Sequence, residues 1–262
     1  MKSTVLLDHH LKQLKLPTIL REYASIAKVC SQEQSDYPDY LLKLVERELI
    51  EREQKAAQRR IKAAQFPVIK TLDCFDFTMQ PSINEHLVRQ LMVGEYIQKH
   101  ENVLIVGNSG TGKTHLASSL GFAACMQGLN VRFFSVSSLV THLSEMRDGR
   151  QLERTFKQLE RLDLLILDEL GYVPFSKTGA ELLFDVISRT YERTSAIVTT
   201  NLPFEQWTEV FGSERLAGAL LDKITHRCHI LEANGESYRL RQAKKRSKRR
   251  MEQKLNPLYE NH

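Results

Sequence analysis

The chain has 262 residues, 42% of them hydrophobic and 26% charged, with a formal charge of +5. That balance fits a globular protein with room for one substantial core and a small appendage. No run approaches 18 apolar residues, so nothing in the sequence spans a membrane, and residues 1–8 lack the apolar stretch of a signal peptide, which makes a cytoplasmic protein the natural inference.

Residues 1 to about 65 read as helical. Val5, Leu6, His9 and Leu16 recur at helical spacing, Pro17 and Thr18 punctuate, and a second helix runs to about Val29. After a polar stretch from Ser31 to Asp36, an amphipathic helix opens near Pro38, with Tyr40, Leu41, Leu44, Val45 and Leu49 stepping by three and four. Its continuation, residues 51–62, is charged nearly all round and reads as a salt-bridged exposed helix. Phe66-Pro67 closes this region, a small all-helical domain over residues 1–66 that would meet a partner or DNA. Phe75 and Phe77 read as core residues, one of them a possible wall for a nucleotide base, and a helix from about Asn84 to Lys99 feeds the first strand.

Asn102 to Val106 is a short apolar strand, and Gly107-Asn108-Ser109-Gly110-Thr111-Gly112-Lys113-Thr114 follows it as G-x-x-x-x-G-K-T. A helix comes next, Leu116 to Met126. Strand, glycine loop and helix in that order form a phosphate cradle, the Walker A motif, in which backbone N–H groups and a helix N-terminus surround an anion. Lys113 can reach the β- and γ-phosphates of ATP or GTP, and the Thr114 hydroxyl can ligate Mg²⁺. A second strand, Val131 to Ser135, leads into helices from about Ser137 to Met146 and from Gln151 to Leu159.

Leu164-Leu165-Ile166-Leu167 is continuously apolar, as a strand buried on both faces of a parallel sheet must be, and ends in Asp168-Glu169. Acids at that edge sit where ligands bind in open α/β sheets. Asp168 is placed to hold Mg²⁺, and Glu169 to polarise a water for attack on the γ-phosphate. Thr178-Gly179-Ala180-Glu181 reads as a capping box for a helix through Tyr191. A further strand, Ser195 to Thr200, ends in Asn201, whose amide can orient the attacking water. Glu205 to Phe211 and Glu214 to Arg227 read as helices, Cys228 to Glu232 as a strand, and Asn234-Gly235 as the turn of a hairpin returning over Ser237 to Leu240. Arg227, just before that strand, is placed to stabilise a neighbouring subunit's γ-phosphate.

Cys30, Cys74, Cys125 and Cys228 are scattered without C-x-x-C spacing, which points to buried free thiols rather than a zinc site or disulfides. Charge is uneven: residues 239–254 carry +8 and residues 255–262 carry −1, leaving −2 for the first 238. The alkaline balance belongs to the C-terminal tail, which suits a nucleic-acid backbone.

The motifs G-N-S-G-T-G-K-T-H-L-A, L-L-I-L-D-E-L, T-T-N-L-P and L-L-D-K-I-T-H-R-C-H-I-L together resemble AAA+ ATPases of the initiator and helicase-loader group. Within that group the sequence is similar to IstB-type transposition helpers, with DnaC-type helicase loaders as near relatives. The resemblance covers about residues 70–241. It implies a P-loop AAA+ domain over residues 67–241, a parallel sheet between helices, with a minimal or absent lid and a basic tail over residues 242–262. It also implies an ATPase with Gly107, Asn108, Ser109, Gly110, Thr111, Gly112, Lys113, Thr114 and His115 at ATP, Thr114 and Asp168 at Mg²⁺, and Lys113, Glu169, Asn201 and Arg227 in catalysis. Arg227 takes the part of a finger acting across subunits, while Lys223 stands where relatives usually have arginine, which removes the planar fork. The implied partners are duplex DNA, a transposase and further copies of the chain. Two other functions fit the same motifs: a helicase loader that holds single strands, and an ATP-gated DNA scaffold whose activity would survive Glu169→Gln.

Overall fold

The computed structural model describes residues 2–146, 149–172, 174–238 and 240–241. The chain divides into two compact units, Met1–Arg59 and Arg60–His262. The basic tail expected over residues 242–262 lies outside the described residues.

The N-terminal unit contains α1 (Lys2–Gln13), α2 (Pro17–Gln32) and most of α3 (Tyr37–Ala64). Leu11, Ile19 and Leu44 form its small core, with Leu20, Tyr23 and Tyr40 packed around them. Pro17 opens α2, whose N-cap residue Leu16 has no side-chain acceptor to offer. Glu48, 3% exposed, supplies it from α3, accepting the Thr18 and Ile19 N–H groups at 2.9 and 3.2 Å. Burial pushes the Glu48 carboxyl up, but the Arg52 guanidinium and these two donors outweigh it and hold the carboxyl below its usual range.

The second unit begins with two single-turn 3₁₀ segments, Leu72–Cys74 and Phe77–Met79. Then come α4 (Glu85–Met92), α5 (Glu95–Gln98), β1 (Asn102–Gly107), α6 (Lys113–Met126), β2 (Val131–Ser135), α7 (Val136–Glu145) and α8 (Gly149–Leu159). β3 (Leu164–Leu170), α9 (Lys177–Thr190), β4 (Ser195–Thr200), α10 (Trp207–Phe211), α11 (Glu214–Thr225) and β5 (Cys228–Ala233) complete it. The five strands form one parallel sheet in the order β2-β3-β4-β1-β5. The acid-tipped β3 is therefore separated from β1 by β4.

Strand side chains alternate between faces, and both faces are covered. Val103, Ile105, Leu164 and Ile166 pack with Leu116 and Leu120 of α6. Leu104, Leu165, Leu167 and Val198 pack with Leu139, Leu183, Trp207 and Leu220 on the other side. Leu164 through Leu167 are wholly buried, each contributing roughly 1.5–3 kcal/mol.

The mixed α/β architecture and the helical N-terminal region agree with the sequence. Local details differ. α9 starts earlier than the expected capping box, because the Ser176 hydroxyl accepts the Gly179 N–H at 3.2 Å and so serves as its N-cap. α4 and α5 are separate, interrupted at Val93 and Gly94. Of the cysteines, Cys30 and Cys125 are buried but Cys74 is exposed.

The expected hairpin is absent among the described residues. β5 pairs in parallel with β1, and no strand returns after Asn234-Gly235. The side-chain amide of Gln80 takes those backbone groups, accepting the Gly235 N–H at 3.1 Å and donating to the Glu236 carbonyl at 2.9 Å. With these groups satisfied, the chain enters a helical turn closed by the Arg241 N–H on the Ser237 carbonyl.

Candidate functional site

The loop between β1 and α6 lies at the carboxyl edge of the sheet. Gly112 has φ +100, and a Cβ there would come within 2.7 Å of the Phe75 ring, so the turn requires glycine. Thr111 is buried, its hydroxyl donating to the Asn108 carbonyl at 2.8 Å. The Lys113 ammonium donates to the Gly107 and Asn108 carbonyls, each at 2.7 Å, which holds it across the loop.

Thr114, in the first turn of α6, donates its hydroxyl to Asp168 at 2.9 and 3.1 Å from the two carboxylate oxygens. Asp168 is 5% exposed and also accepts the Thr199 hydroxyl at 2.6 Å. A buried carboxylate beside a hydroxyl is a hard oxygen set that suits Mg²⁺. The register of β3 against β4 shifts between Leu167 and Leu170, so the two acids sit on an irregular stretch of strand. Glu169 is exposed and left-handed, with φ +61, and its N–H donates to the same Thr199 hydroxyl at 3.0 Å. Thr199 thus orients both acids, one by donating and one by accepting.

Ser109 to His115, Glu169, Thr199 and Asn201 line a single cleft of about 560 Å³, joined by Val68, Ile69, Phe75, Met79 and Tyr238 on a less polar wall. His115 donates from Nε2 to the Thr71 carbonyl at 2.9 Å and meets the Phe75 ring edge to face. Burial pushes its pKa down, with the nearby Lys70 ammonium acting in the same direction. Of the two phenylalanines considered for a base wall, Phe75 is in the lining, and Phe77 packs against it at 4.9 Å.

The structure brings together Lys113, Thr114, Glu169 and Asn201 in that lining, with Asp168 hydrogen-bonded to Thr114 behind it. It does not bring Arg227 to them. Asn102 of β1 pairs with Cys228 of β5 and Gly107 with Ala233, so Arg227 sits at the strands' amino end. Six residue steps of strand separate it from the level of Gly107, about 20 Å. Arg227 is exposed, with φ +51, and its carbonyl accepts the Asn102 N–H at 2.9 Å. Lys223 is half-buried in the last turn of α11, its ammonium 4.6 Å from the centre of the Tyr191 ring.

Sequence reasoning missed Thr199, Gln80 and Tyr238. Thr199 had a usable signal: it lies two residues before Asn201, and strand side chains repeat their facing every second residue. Gln80 and Tyr238 had none, since their contacts join segments far apart in sequence.

A sequence profile described as IstB-like ATP binding protein matches residues 9–247. The chain is 36% identical over 241 residues to a candidate ATP-binding protein of insertion sequence IS5376 from Geobacillus stearothermophilus, covering 92% of this chain and 96% of that protein. It is 37% identical over 235 residues to the corresponding protein of insertion sequence IS21 from Pseudomonas aeruginosa, covering 90% and 89%. Among solved structures, AMPPCP-bound DnaA from Aquifex aeolicus matches 71% of this chain and 56% of its own, with TM-score 0.55 and 18% identity. A DnaC helicase loader matches 67% and 99%, with TM-score 0.52 and 20% identity. At those identities the likeness is one of fold: a parallel sheet with its flanking helices.

Proposed function

The chain belongs to the family of IstB-like ATP-binding proteins, and from that premise we propose that it is a Mg²⁺-dependent ATPase acting in DNA transposition. The observation that carries this reading is the convergence on one cleft of Lys113, the Thr114–Asp168 pair, Glu169 and Asn201. The loop N–H groups and the N-terminus of α6 cradle the phosphates, and Lys113 exchanges its carbonyl partners for β- and γ-oxygens. Thr114 and Asp168 hold Mg²⁺, which when bound neutralises charge developing on the phosphoryl oxygens. Glu169 accepts a proton from the attacking water while Asn201 orients it.

Arg227 lies too far from its own chain's loop to touch the phosphates. It serves the cleft of a second copy, stabilising negative charge there in the transition state. Hydrolysis therefore depends on assembly. We further propose that assembly occurs on duplex DNA and that the assembly recruits and stimulates a transposase. The insertion-sequence relatives and the +8 charge of residues 239–254 support this part.

Sedimentation with a non-hydrolysable ATP analogue, with duplex DNA, single-stranded DNA or neither, tests the proposal. Large nucleotide-dependent assemblies on duplex are expected. Assembly on single strands alone would overturn the duplex reading and favour a helicase loader. Lys113→Ala is expected to abolish analogue-induced assembly, and unchanged sedimentation of that variant would contradict the assignment of the cleft.

A further inference from the structure

The segment that replaces the expected hairpin runs beside the phosphate loop. The Asn234 N–H donates to the Ser82 hydroxyl at 2.9 Å. Gly235 and Glu236 are held by the two ends of the Gln80 amide, and Gln80 itself is 2% exposed. Ser237 packs against Gly110, where an added Cβ would meet its hydroxyl and its Cβ. The Tyr238 N–H then donates to the Gly110 carbonyl at 2.9 Å. Residues 234–238 thus form a strap fastened to the 80s segment at one end and to the phosphate loop at the other.

The strap delivers one large side chain to the cleft. Tyr238 is 47% exposed and shares the cleft lining with Ile69, Phe75 and Met79. A hydrogen bond from its own backbone to Gly110 fixes how far that ring lies from the phosphate cradle. An aromatic face at a set distance from a phosphate site, with Ile69, Phe75 and Met79 in the same lining, suits a planar base.

We propose that Tyr238 contacts the nucleotide base and that Gln80 is a positioning residue that holds the strap, and hence Tyr238, in register with the phosphate loop. The inference rests on the nucleotide reading of the cleft. It assigns base affinity to residues from the exit of β5 and a loop about 155 residues earlier in sequence.

Calorimetric titration of the full chain with ATP and with inorganic tripolyphosphate, which has no base, tests it. Tyr238→Ala is expected to weaken ATP binding about 10-fold, the scale of one lost stacking contact, and to leave tripolyphosphate binding unchanged. Tyr238→Phe should keep ATP affinity. Gln80→Ala should lower the ratio of ATP to tripolyphosphate affinity as Tyr238→Ala does, and the double variant should lower it no further, since both act on one contact. Unimpaired ATP binding by Tyr238→Ala, or equal loss of both ligands, would overturn the inference while leaving the cleft's assignment intact. A wild-type chain that binds no ATP would overturn both.

Discussion

The two ends of the parallel sheet carry very different chemistry. At the carboxyl end, Lys113, Thr114, Asp168, Glu169 and Asn201 gather around one loop, and a threonine hydroxyl from β4 orients both acids. At the amino end, Arg227 stands exposed beside the start of β1, with its backbone anchored to Asn102. The groups at the carboxyl end are those proposed to bind a phosphate chain, hold a cation and prepare a water, and among the described residues no arginine shares that lining. The arginine proposed to meet the charge that develops lies at the amino end instead. Under the proposed function, a single copy would hold two parts of the reaction at opposite edges, to be joined by a neighbouring copy.

Variants at the two ends should therefore fail differently. Arg227→Ala is expected to reduce DNA-stimulated ATP hydrolysis about 10³-fold, the lower range for loss of a finger, while leaving ATP affinity near wild type. Steady-state turnover and a nucleotide titration on the same preparation check both halves of that statement, and a large loss of affinity would place Arg227 at its own chain's cleft. Glu169→Gln should reduce hydrolysis about 10²-fold or more, in keeping with loss of a general base, and should retain nucleotide-dependent assembly. Wild-type turnover in that variant would mean that Glu169 is not the general base.

Thr199→Val sharpens the carboxyl side of the comparison. Without the hydroxyl, Asp168 loses a 2.6 Å donor and the Glu169 N–H loses its acceptor. Apparent Mg²⁺ affinity in the ATPase assay is expected to fall about 10-fold, the smaller end of the effect of removing a group that orients a metal ligand. An unchanged Mg²⁺ dependence would mean that strand geometry alone places the acids. The smallest expected effect concerns neither end: deleting residues 239–262 should weaken DNA binding and flatten its salt dependence, because fewer phosphates are neutralised. An unaltered slope would exclude the tail as the contact.

Most of this architecture could be read from short-range pattern. The run Leu164 to Leu167 announces a strand buried on both faces, and the glycine loop between β1 and α6 announces a phosphate cradle. What escaped depends on contacts between distant segments. Asn234-Gly235 carries a strong hairpin signal, yet a buried glutamine about 155 residues earlier takes its backbone groups and sends the chain across the phosphate loop. Thr178 and Ser176 both offer a hydroxyl at the start of α9, and local sequence alone does not choose between them.

The most direct test of the two-ended account is complementation by mixing. Arg227→Ala chains keep an intact cleft and Glu169→Gln chains keep an intact finger, so each preparation alone should be nearly inactive on DNA. Mixed, they should recover part of the wild-type ATP turnover, because some interfaces then pair a sound cleft with a sound finger. No recovery at any mixing ratio, with both variants still assembling, would contradict the claim that the two halves meet across copies of the chain.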